Sequence, residues 1–419
     1  MFQRTSVADR LISRMRSAGV GEVFGVPGDL LTRVSGPVFR WGRRPSPFEV
    51  VNGVAIRPGA SAHVQIGAAR DMLRAAPSGS LIVGALPFDL SSPGRLWIGR
   101  PRSMSLPNFR SLRHRTEPSR TDDSEHRSAF TSSVRSVLRG ISDGTLQKVV
   151  LARTDVITRP EDFDEAEVFA RLSSDRSSVA FQVHGSESQG DFLGASPEVL
   201  VRVNGARLVS TPFAGSVPRG GVSRTRARNE LIRSAKVGTE HGLVIDDIVG
   251  RLRGVAMADV DVVGPELRST ERVWHLASAI TTTVDRAHID SLAAVELLHP
   301  TPAVCGVPRT AALRVISESE PFERGLFGGV VGWQSRDGDG DGEWRVSIRC
   351  GLVSGPSARL FAGAGIVRGS DADAEYDETT AKMRTMNDAL AAAGKTGAMA
   401  PLMQTDETRT QEGDARWTT

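Results

Sequence analysis

The sequence is poor in cysteine and has no long apolar run. Its two cysteines, Cys305 and Cys350, are too few for a disulfide framework or a zinc site, and their apolar surroundings predict small core residues. No run of 18 apolar residues could span a bilayer, and no early run has the form of a signal peptide. The composition therefore predicts a cytoplasmic protein without membrane contact.

Aromatic residues and blocks of like charge are also scarce. The chain of 419 residues has a formal net charge of +3, 5% aromatic residues and a single tyrosine, Tyr376. Its arginines are mixed with acidic residues, so no basic stripe for nucleic acid is present, and base-stacking platforms are lacking. The sequence therefore predicts no nucleic-acid partner.

Lysine is rare among the basic residues of this chain. Of 52 basic residues only four are lysines: Lys148, Lys236, Lys382 and Lys395. Lysine can lose its proton when it is desolvated, whereas arginine stays protonated. The first three lysines fall in motif-like stretches, which favours chemical roles for them; codon bias is the alternative explanation.

Hairpins dominate the predicted organisation. Alternating residues around Asn204-Gly205 in EVLVRVNGARLVS predict a β-hairpin. Regular strand–helix alternation is missing, so we expect an α+β fold with antiparallel sheets. Residues 100–127 are rich in Arg, Ser and Pro and predict an exposed linker, and 394–419 predict a disordered tail. Helices are predicted at 8–18, 63–75, 128–141, 164–174, 227–253, 290–298 and 374–393.

Two stretches resemble known sites without completing them. DGDGDGE at 337–343 begins like a calcium-binding loop, but Ile348 stands where that loop needs a glutamate, so a hairpin turn is predicted. Residues 6–29 resemble the start of thiamine-diphosphate-dependent enzymes, a likeness that does not continue further along the chain. We therefore treat 1–30 as a separate segment, and a thiamine-diphosphate-binding or regulatory protein as an alternative function.

Five segments place charged or glycine residues inside runs that otherwise belong to a core. Each of these residues also has a purely structural explanation, such as an exposed i,i+4 helix pair or a buried salt bridge. Together they indicate a site, because an apolar strand rarely desolvates a lone charge without use. The residues concerned are Lys148, Glu198, Glu240 with His241, Arg349 with the glycines at 363 and 365, and Glu375 with Glu378 and Lys382.

Ten ordered stretches then carry a family resemblance. They are QKVVLAR, FLGASPEVLVRV, TPFAGSVPRG, SAKVGTEH, VWHLAS, LLHPTPAVCGVPR, PFERGLFGGVVGW, EWRVSIRC, LFAGAGIV and EYDETTAKM. Over residues 128–390 the chain resembles the chorismate-utilising enzymes, and most of all the isochorismate synthases. The resemblance implies an anthranilate synthase component I-like α+β fold over 31–393. In that fold two layers of antiparallel sheet with flanking helices surround one central site. It also implies a monomer and chorismate as the substrate.

The resemblance assigns an acid and a base. Lys148 would take a proton from the water that attacks C2 of the ring, and its apolar strand should disfavour the ammonium form. Glu198, on the opposite face, would protonate the departing C4 hydroxyl, and burial should keep it protonated. A lysine at position 148 favours hydroxylation over amination, because ammonia needs no base to activate it.

The remaining roles implied by the resemblance concern binding. Glu240 and Glu378, with Glu375 as a possible third ligand, would hold Mg²⁺. Arg349 and the backbone at Gly363, Ala364 and Gly365 would hold the enolpyruvyl carboxylate. The other expected substrate-binding residues are Ala214, Gly215, Ser216, His275, Thr301 and Lys382.

Two departures leave the final product open. Val237 stands where the SAKD-type pattern has aspartate, and Ser278 replaces a threonine that is more usual in isochorismate synthases. Ser278 is more typical of salicylate-forming or amine-forming members. The sequence therefore predicts Mg²⁺-dependent formation of isochorismate, with a salicylate synthase, which would go on to expel pyruvate, as the alternative.

Overall fold

The computed structural model describes residues 34–392 except 35, 44, 107–118, 121–122, 186–188, 220, 271–272 and 339. The 1–30 segment, with its helix predicted at 8–18, and the 394–419 tail lie outside the described residues. None of the described helices has the length and hydropathy needed to cross a bilayer.

Two ten-stranded sheets form the framework, and all their strand pairs are antiparallel. The strands are β1 Pro37–Gly42, β2 Phe48–Val51, β3 Val54–Ala55, β4 Leu81–Leu86, β5 Arg95–Gly99, β6 Pro101–Ser103, β7 Ser119–Arg120, β8 Lys148–Thr158, β9 Val179–Val183, β10 Asp191–Ser196, β11 Val199–Asn204, β12 Arg207–Thr211, β13 Phe213–Pro218, β14 Asp261–Ser269, β15 Val273–Thr283, β16 Gly306–Val307, β17 Val330–Ser335, β18 Gly342–Val346, β19 Cys350–Ser354 and β20 Ser357–Val367.

The strand order is far from the chain order. The first sheet runs β16-β8-β20-β19-β10-β9-β1-β2-β6, with β7 also paired to β8. The second runs β13-β15-β12-β11-β18-β17-β4-β5-β3, with β14 also paired to β15. The chain passes from one sheet to the other several times. Residues distant in sequence therefore meet between the two sheets.

An apolar cluster lies between the sheets and joins them. Phe181 and Phe192 of the first sheet belong to the same buried cluster as Val83 and Val331 of the second. Such face-to-face packing removes one side of each sheet from water and favours association by roughly 25 cal/mol per Å² of apolar surface buried. The two layers of antiparallel sheet that the resemblance implied are confirmed.

Helices cover the outer faces and ends of the sheets. In the described part of the chain they are α1 Ala62–Ala75, α2 Asp123–Ser142, α3 Glu165–Leu172, α4 Arg224–Arg233, α5 Ala235–Arg253, α6 Ser291–Leu298, α7 Arg309–Ser319 and α8 Ala372–Ala392. Helices α3 and α8 pack on the first sheet, where Phe169, Leu360 and Met386 share one buried cluster. Helices α1 and α6 pack on the second sheet.

The predicted helix at 227–253 is wrong in one respect, because it is two helices. Helix α4 ends at Arg233, and Ser234 has extended backbone angles (φ −73°, ψ 111°). The Ser234 side chain accepts a hydrogen bond from Val237 N and so caps the start of α5. The Ser234 cap divides the helical pattern of 227–253 into two helices and sets the position of the first turn of α5.

The linker prediction for 100–127 is wrong at both ends. Pro101–Ser103 forms β6 and pairs with β2, and helix α2 already begins at Asp123. Helix α7 was not predicted; it buries Ala312 and Ile316, which are one turn apart. The hairpin at Asn204-Gly205 is confirmed as the connection between β11 and β12. The hairpin turn predicted at 337–343 is confirmed between β17 and β18, although Gly342 and Glu343 already belong to β18. Cys305 and Cys350 are both free and buried.

Candidate active site

A cavity lies beside the apolar cluster that joins the two sheets, and Phe327 and Phe361 of that cluster line it. Eleven residues predicted for the site line it: Glu198, Ala214, Gly215, Ser216, Glu240, His275, Arg349, Gly363, Gly365, Glu378 and Lys382. The first sheet contributes β20, the second contributes β13 and β15, and helices α5 and α8 contribute the metal-ligand candidates. The fold therefore brings together residues separated by up to 184 positions, from Glu198 to Lys382.

Lys148 begins strand β8 directly beside the cavity. Its side chain is 1% exposed, and its Nζ lies 3.2 Å from Glu240 Oε1. Gly365 provides the space for this pair, since a Cβ there would lie 2.0 Å from Glu240 Oε1 and 3.2 Å from Lys148 Cε. Glu240 lines the cavity and Lys148 does not, so Lys148 is in contact with the lining through Glu240.

Glu198 lies in the short turn between β10 and β11. The turn is held by Val346, whose N–H donates to the backbone oxygen of Glu198 at 3.1 Å and whose carbonyl accepts from Ser196 Oγ at 2.7 Å. Burial raises the pKa of Glu198 to about 7, although a hydrogen bond from the Phe213 N–H and the charges of Lys148 and Arg349 act in the opposite direction. A carboxyl group of this kind can donate a proton near neutral pH.

His275 on β15 holds the guanidinium of Arg349. Burial and the nearby Arg349 charge lower the pKa of His275 to about 3, so the ring is neutral. Its Nδ1 lies 2.8 Å from the carbonyl oxygen of Gly215, which can only accept; Nδ1 therefore carries the proton. Nε2 then accepts a hydrogen bond from Arg349 Nη2 at 3.2 Å. His275 thus acts as an acceptor that orients Arg349.

Arg349 has an unusual backbone for a side chain of its size. Its φ is 55°, in the left-handed region, where residues with a Cβ are strained by roughly 1–3 kcal/mol. Burial lowers the pKa of Arg349 to about 10, partly offset by Glu378 and Glu198, so the group stays charged at neutral pH. A buried guanidinium that lines a cavity is suited to bind a carboxylate of a ligand.

Gly215 lets the chain turn close to helix α5. Its φ is +64°, and a Cβ would lie 2.6 Å from Val237 Cγ1. Val237 belongs to an apolar cluster with Leu231 and Trp274. The departure from aspartate at position 237 therefore places an apolar side chain behind Gly215, and it adds no acid to the cavity.

Three glutamates at the site are each paired with one of three lysines. Glu240 pairs with Lys148, Glu378 Oε1 lies 2.6 Å from Lys382 Nζ, and the Glu375 carboxylate accepts a hydrogen bond from Lys236 Nζ. Burial alone would raise the pKa of Glu378, but Lys382, Lys236 and a hydrogen bond from Ser216 bring it below its usual value. Lys382 also donates to the carbonyl oxygen of Gly363 at 2.9 Å.

Two residues predicted to bind substrate are not among those that line the cavity. Thr301 is 2% exposed, and its hydroxyl accepts from Ala303 N at 3.3 Å. The side chain of Ala364 lies in the core, because alternate residues of β20 face opposite sides. The role predicted for Ala364 belongs to its backbone and stays a prediction. Ser278 also lies away from the cavity and bonds His241 Nε2 at 2.7 Å.

Several lining residues were not predicted from the sequence. Phe327 and Phe361 form an apolar wall with their rings stacked at 5.2 Å between centroids. Arg324 lines the cavity and donates to the carbonyl oxygens of Val150 (2.8 Å) and Val304 (2.7 Å), which ties β8 to the segment before β16. The stretch PFERGLFGGVVGW contains both Arg324 and Phe327, so its order among the family motifs was the available signal.

Comparison of the sequence with known protein families identifies the kind of protein that contains this cavity. Residues 101–391 match the model of the chorismate binding enzymes. The chain is a chorismate-binding enzyme. The resemblance found in the sequence is thereby confirmed over more than half of the chain.

Relatives of this chorismate-binding enzyme include isochorismate synthases. The isochorismate synthase DhbC of Bacillus subtilis is 38% identical over 333 residues, which cover 76% of this chain and 83% of the relative. A crystal structure of a putative 2,3-dihydroxybenzoate-specific isochorismate synthase from Bacillus anthracis matches with a TM-score of 0.76 and 28% identity, over 85% of this chain and 96% of that one. Anthranilate synthase component I from Streptococcus pneumoniae shares the fold (TM-score 0.65, 17% identity, 92% and 100% covered).

Proposed function

We propose that this enzyme is an isochorismate synthase, which moves the hydroxyl group of chorismate from C4 to C2 without redox change. The observation that carries the proposal is that Glu198 and a buried arginine line one cavity, with Lys148 paired to Glu240 of the same lining. An amine base and a protonated carboxyl group are the two partners that this exchange of hydroxyl groups needs.

Lys148 supplies the base in this proposal. When Lys148 is free of Glu240 and has lost its extra proton to solvent, the neutral amine takes a proton from a water molecule, whose oxygen forms a bond to C2 of the ring. The C1–C2 and C5–C6 double bonds shift to C1–C6 and C4–C5. An arginine could not replace Lys148 here, because a guanidinium does not lose its proton near neutral pH.

Glu198 supplies the acid as the C4–O bond breaks. With a pKa of about 7 the carboxyl group is largely protonated below neutral pH, so it can give its proton to the departing hydroxide and release water. One water molecule enters and one leaves, so the atoms balance. Lys148 ends with the proton of the attacking water, and the proton of Glu198 leaves in the released water. Lys148 then loses a proton to solvent and Glu198 takes one up, which restores both groups.

Arg349 positions the substrate through a carboxylate. A guanidinium fork binds a carboxylate with two parallel hydrogen bonds, and the acceptor nitrogen of His275 fixes its direction. Gly363 and Gly365 line the cavity next to it, where backbone can approach a ligand closely. These contacts support binding of the enolpyruvyl carboxylate at this end of the cavity.

The donor set is compatible with Mg²⁺. Among the described residues no three His, Cys, Asp or Glu side chains converge closely enough to hold a metal by themselves. Glu240 and Glu378 nevertheless line the same cavity, and Mg²⁺ is often held by one or two carboxylates with water and substrate oxygens completing its shell. When bound, Mg²⁺ would neutralise the ring carboxylate of chorismate and orient it.

Product analysis tests the proposal. The purified protein is incubated with chorismate and Mg²⁺, and the products are separated and identified. Isochorismate without pyruvate is expected. Release of pyruvate together with salicylate would instead establish a salicylate synthase, and formation of neither product would refute both assignments. The Glu198→Gln variant provides the control for spontaneous decay of chorismate.

A further inference from the structure

An ion pair next to the active site has no part in the roles described so far. Lys236 Nζ donates to Glu375 Oε1, which joins helix α5 to helix α8. The Lys236 side chain is 27% exposed, whereas Glu375 is only 1% exposed. Burial lowers the pKa of Lys236, but Glu375 outweighs this effect and the net shift is upward. The pair is thus largely desolvated, and losing one partner costs more here than at a surface pair.

The positions of Lys236 and Glu375 along their helices relate this ion pair to the metal-ligand candidates Glu240 and Glu378. Lys236 precedes Glu240 by four residues on α5, and Glu375 precedes Glu378 by three residues on α8. Residues three and four apart lie on the same face of a helix. The ion pair therefore lies one turn before the proposed metal carboxylate on both helices.

Strand β20 fixes the two carboxylates only in part. The Glu240 carboxylate rests against Gly365, where there is no room for a Cβ, and Glu378 is paired with Lys382, which is bonded to Gly363 O. Both helices pack on this strand. The other neighbours of the two helices differ: α5 also packs on β13 and β15, whereas α8 also packs on α2 and α3. Both metal-ligand candidates lie within two turns of the N-terminal ends of their helices. The Lys236–Glu375 contact joins these two ends directly.

We propose that Lys236 is a positioning residue for the metal site, and that its pairing with Glu375 sets the distance between Glu240 and Glu378. This inference rests on the proposed function, since it assumes that the two carboxylates bind Mg²⁺. Glu375 then acts as the partner of Lys236 and not as a third ligand. Removing a residue that orients metal ligands typically weakens metal affinity 10–100-fold.

Calorimetric titration of Mg²⁺ into the protein without substrate tests the inference. Lys236→Met should weaken Mg²⁺ binding at least ~10-fold, and Lys236→Arg should restore most of the affinity, because arginine keeps the pair. Arg127→Met is the matched control. It breaks ion pairs from helix α2 to Asp373 and Asp377 on the same helix α8, without touching the metal carboxylates, and should leave Mg²⁺ affinity unchanged.

Glu375→Gln distinguishes the two possible roles of Glu375 by comparison with Lys236→Met, and Lys236→Gln takes the place of Lys236→Met in this comparison if Lys236→Met does not fold. A glutamine keeps an acceptor for Lys236, so the positioning role predicts a smaller loss than in Lys236→Met. A ligand role predicts the reverse order, with tighter binding in Lys236→Met because a repelling charge is removed. Unchanged or tighter Mg²⁺ binding in Lys236→Met would overturn the inference. Absence of Mg²⁺ binding in the unsubstituted protein would instead overturn the proposed metal site.

Discussion

The ammonium group of Lys148 lies 3.2 Å from the carboxylate of Glu240, so the proposed base and a proposed metal ligand are partners of each other. The same arrangement recurs at Glu378 with Lys382 and at Glu375 with Lys236. A chain with only four lysines uses three of them as partners of three glutamates at one site. Without ligands the three pairs are electrically neutral as a group.

The first prediction concerns Lys148. Lys148→Ala should lower kcat at least ~10²-fold, because the water loses its base. Lys148→Arg should be equally impaired, since arginine can keep the ion pair with Glu240 but cannot become a neutral base near pH 7. Steady-state rates of isochorismate formation provide the measurement. Substantial activity in Lys148→Arg would show that position 148 supplies only charge, and the acid–base assignment would have to be abandoned.

Glu198→Gln gives the second prediction, on activity. The amide keeps the shape of the side chain but carries no acidic proton, so kcat should fall by at least ~10²-fold. In the unsubstituted enzyme, kcat/KM should decline as the pH rises above about 7, because Glu198 loses its proton there. A pH–rate profile that stays flat from pH 6 to 9 would contradict the role of Glu198 as the acid.

The same substitution should stabilise the fold, which is a third and independent prediction. Burial raises the pKa of Glu198 from 4.5 to about 7, so folding favours the protonated form. Below pH 4.5 the carboxyl group is protonated in both states and costs nothing. As the pH rises to about 7, Glu198 ionises first in the unfolded chain, and the free energy of unfolding falls by up to roughly 3 kcal/mol.

Glu198→Gln removes this loss. The variant should have a higher free energy of unfolding than the unsubstituted protein. This difference should be near zero at pH 4, should grow between pH 4.5 and 7, and should be constant above pH 8. Urea denaturation of both proteins at several pH values measures it. Equal stability at pH 8 would mean that Glu198 is ionised without cost in the folded protein, and that the site does not hold it as an acid.

The sequence predicts the local hairpins and most helices, because turn residues and apolar periodicity act over a few positions. The hairpin at Asn204-Gly205 depends on such local signals and is confirmed. The division of 227–253 at Ser234 escaped detection because a serine within a helical pattern is compatible with either a helix interior or a cap. Val237, in the first turn of α5, packs closely against Gly215 of β13, a contact between two elements that a local pattern does not show.

The candidate site is predictable only as a set of residues, not as a set of contacts. Ordered motifs identified Glu198, Glu240 and Arg349 as its members, and the cavity contains all three. The pairing of Lys236 with Glu375 depends on how α5 and α8 meet, which no local pattern encodes. Thr301 was assigned from its motif alone, although its hydroxyl bonds its own turn.

The fourth prediction concerns the Arg349–His275 contact. His275→Ala should raise KM for chorismate about tenfold or more and change kcat less, because Arg349 loses the acceptor that orients it towards the substrate. His275→Gln, whose amide oxygen can accept the same hydrogen bond, should recover part of the loss. An equal fall of kcat in both variants with KM unchanged would show that His275 acts in the chemical step instead.

The fifth prediction is that Mg²⁺ and chorismate strengthen the binding of each other. Glu240 and Glu378 each hold an ammonium group, from Lys148 and Lys382, and a bound divalent cation would compete with these groups for the carboxylate oxygens and would repel them. Chorismate carries two carboxylates, which compensate the charges that the metal displaces. Mg²⁺ affinity should therefore rise at least tenfold when chorismate is present, a coupling free energy of about 1.4 kcal/mol.

Calorimetry on the Glu198→Gln variant measures this coupling without turnover, because the acid is missing while both metal-ligand candidates remain. Mg²⁺ is titrated with and without saturating chorismate, and chorismate with and without Mg²⁺. Thermodynamic linkage requires the same factor in both directions. If the two ligands bind independently, the lysine–glutamate pairs do not oppose metal binding, and the proposed competition for Glu240 and Glu378 is wrong.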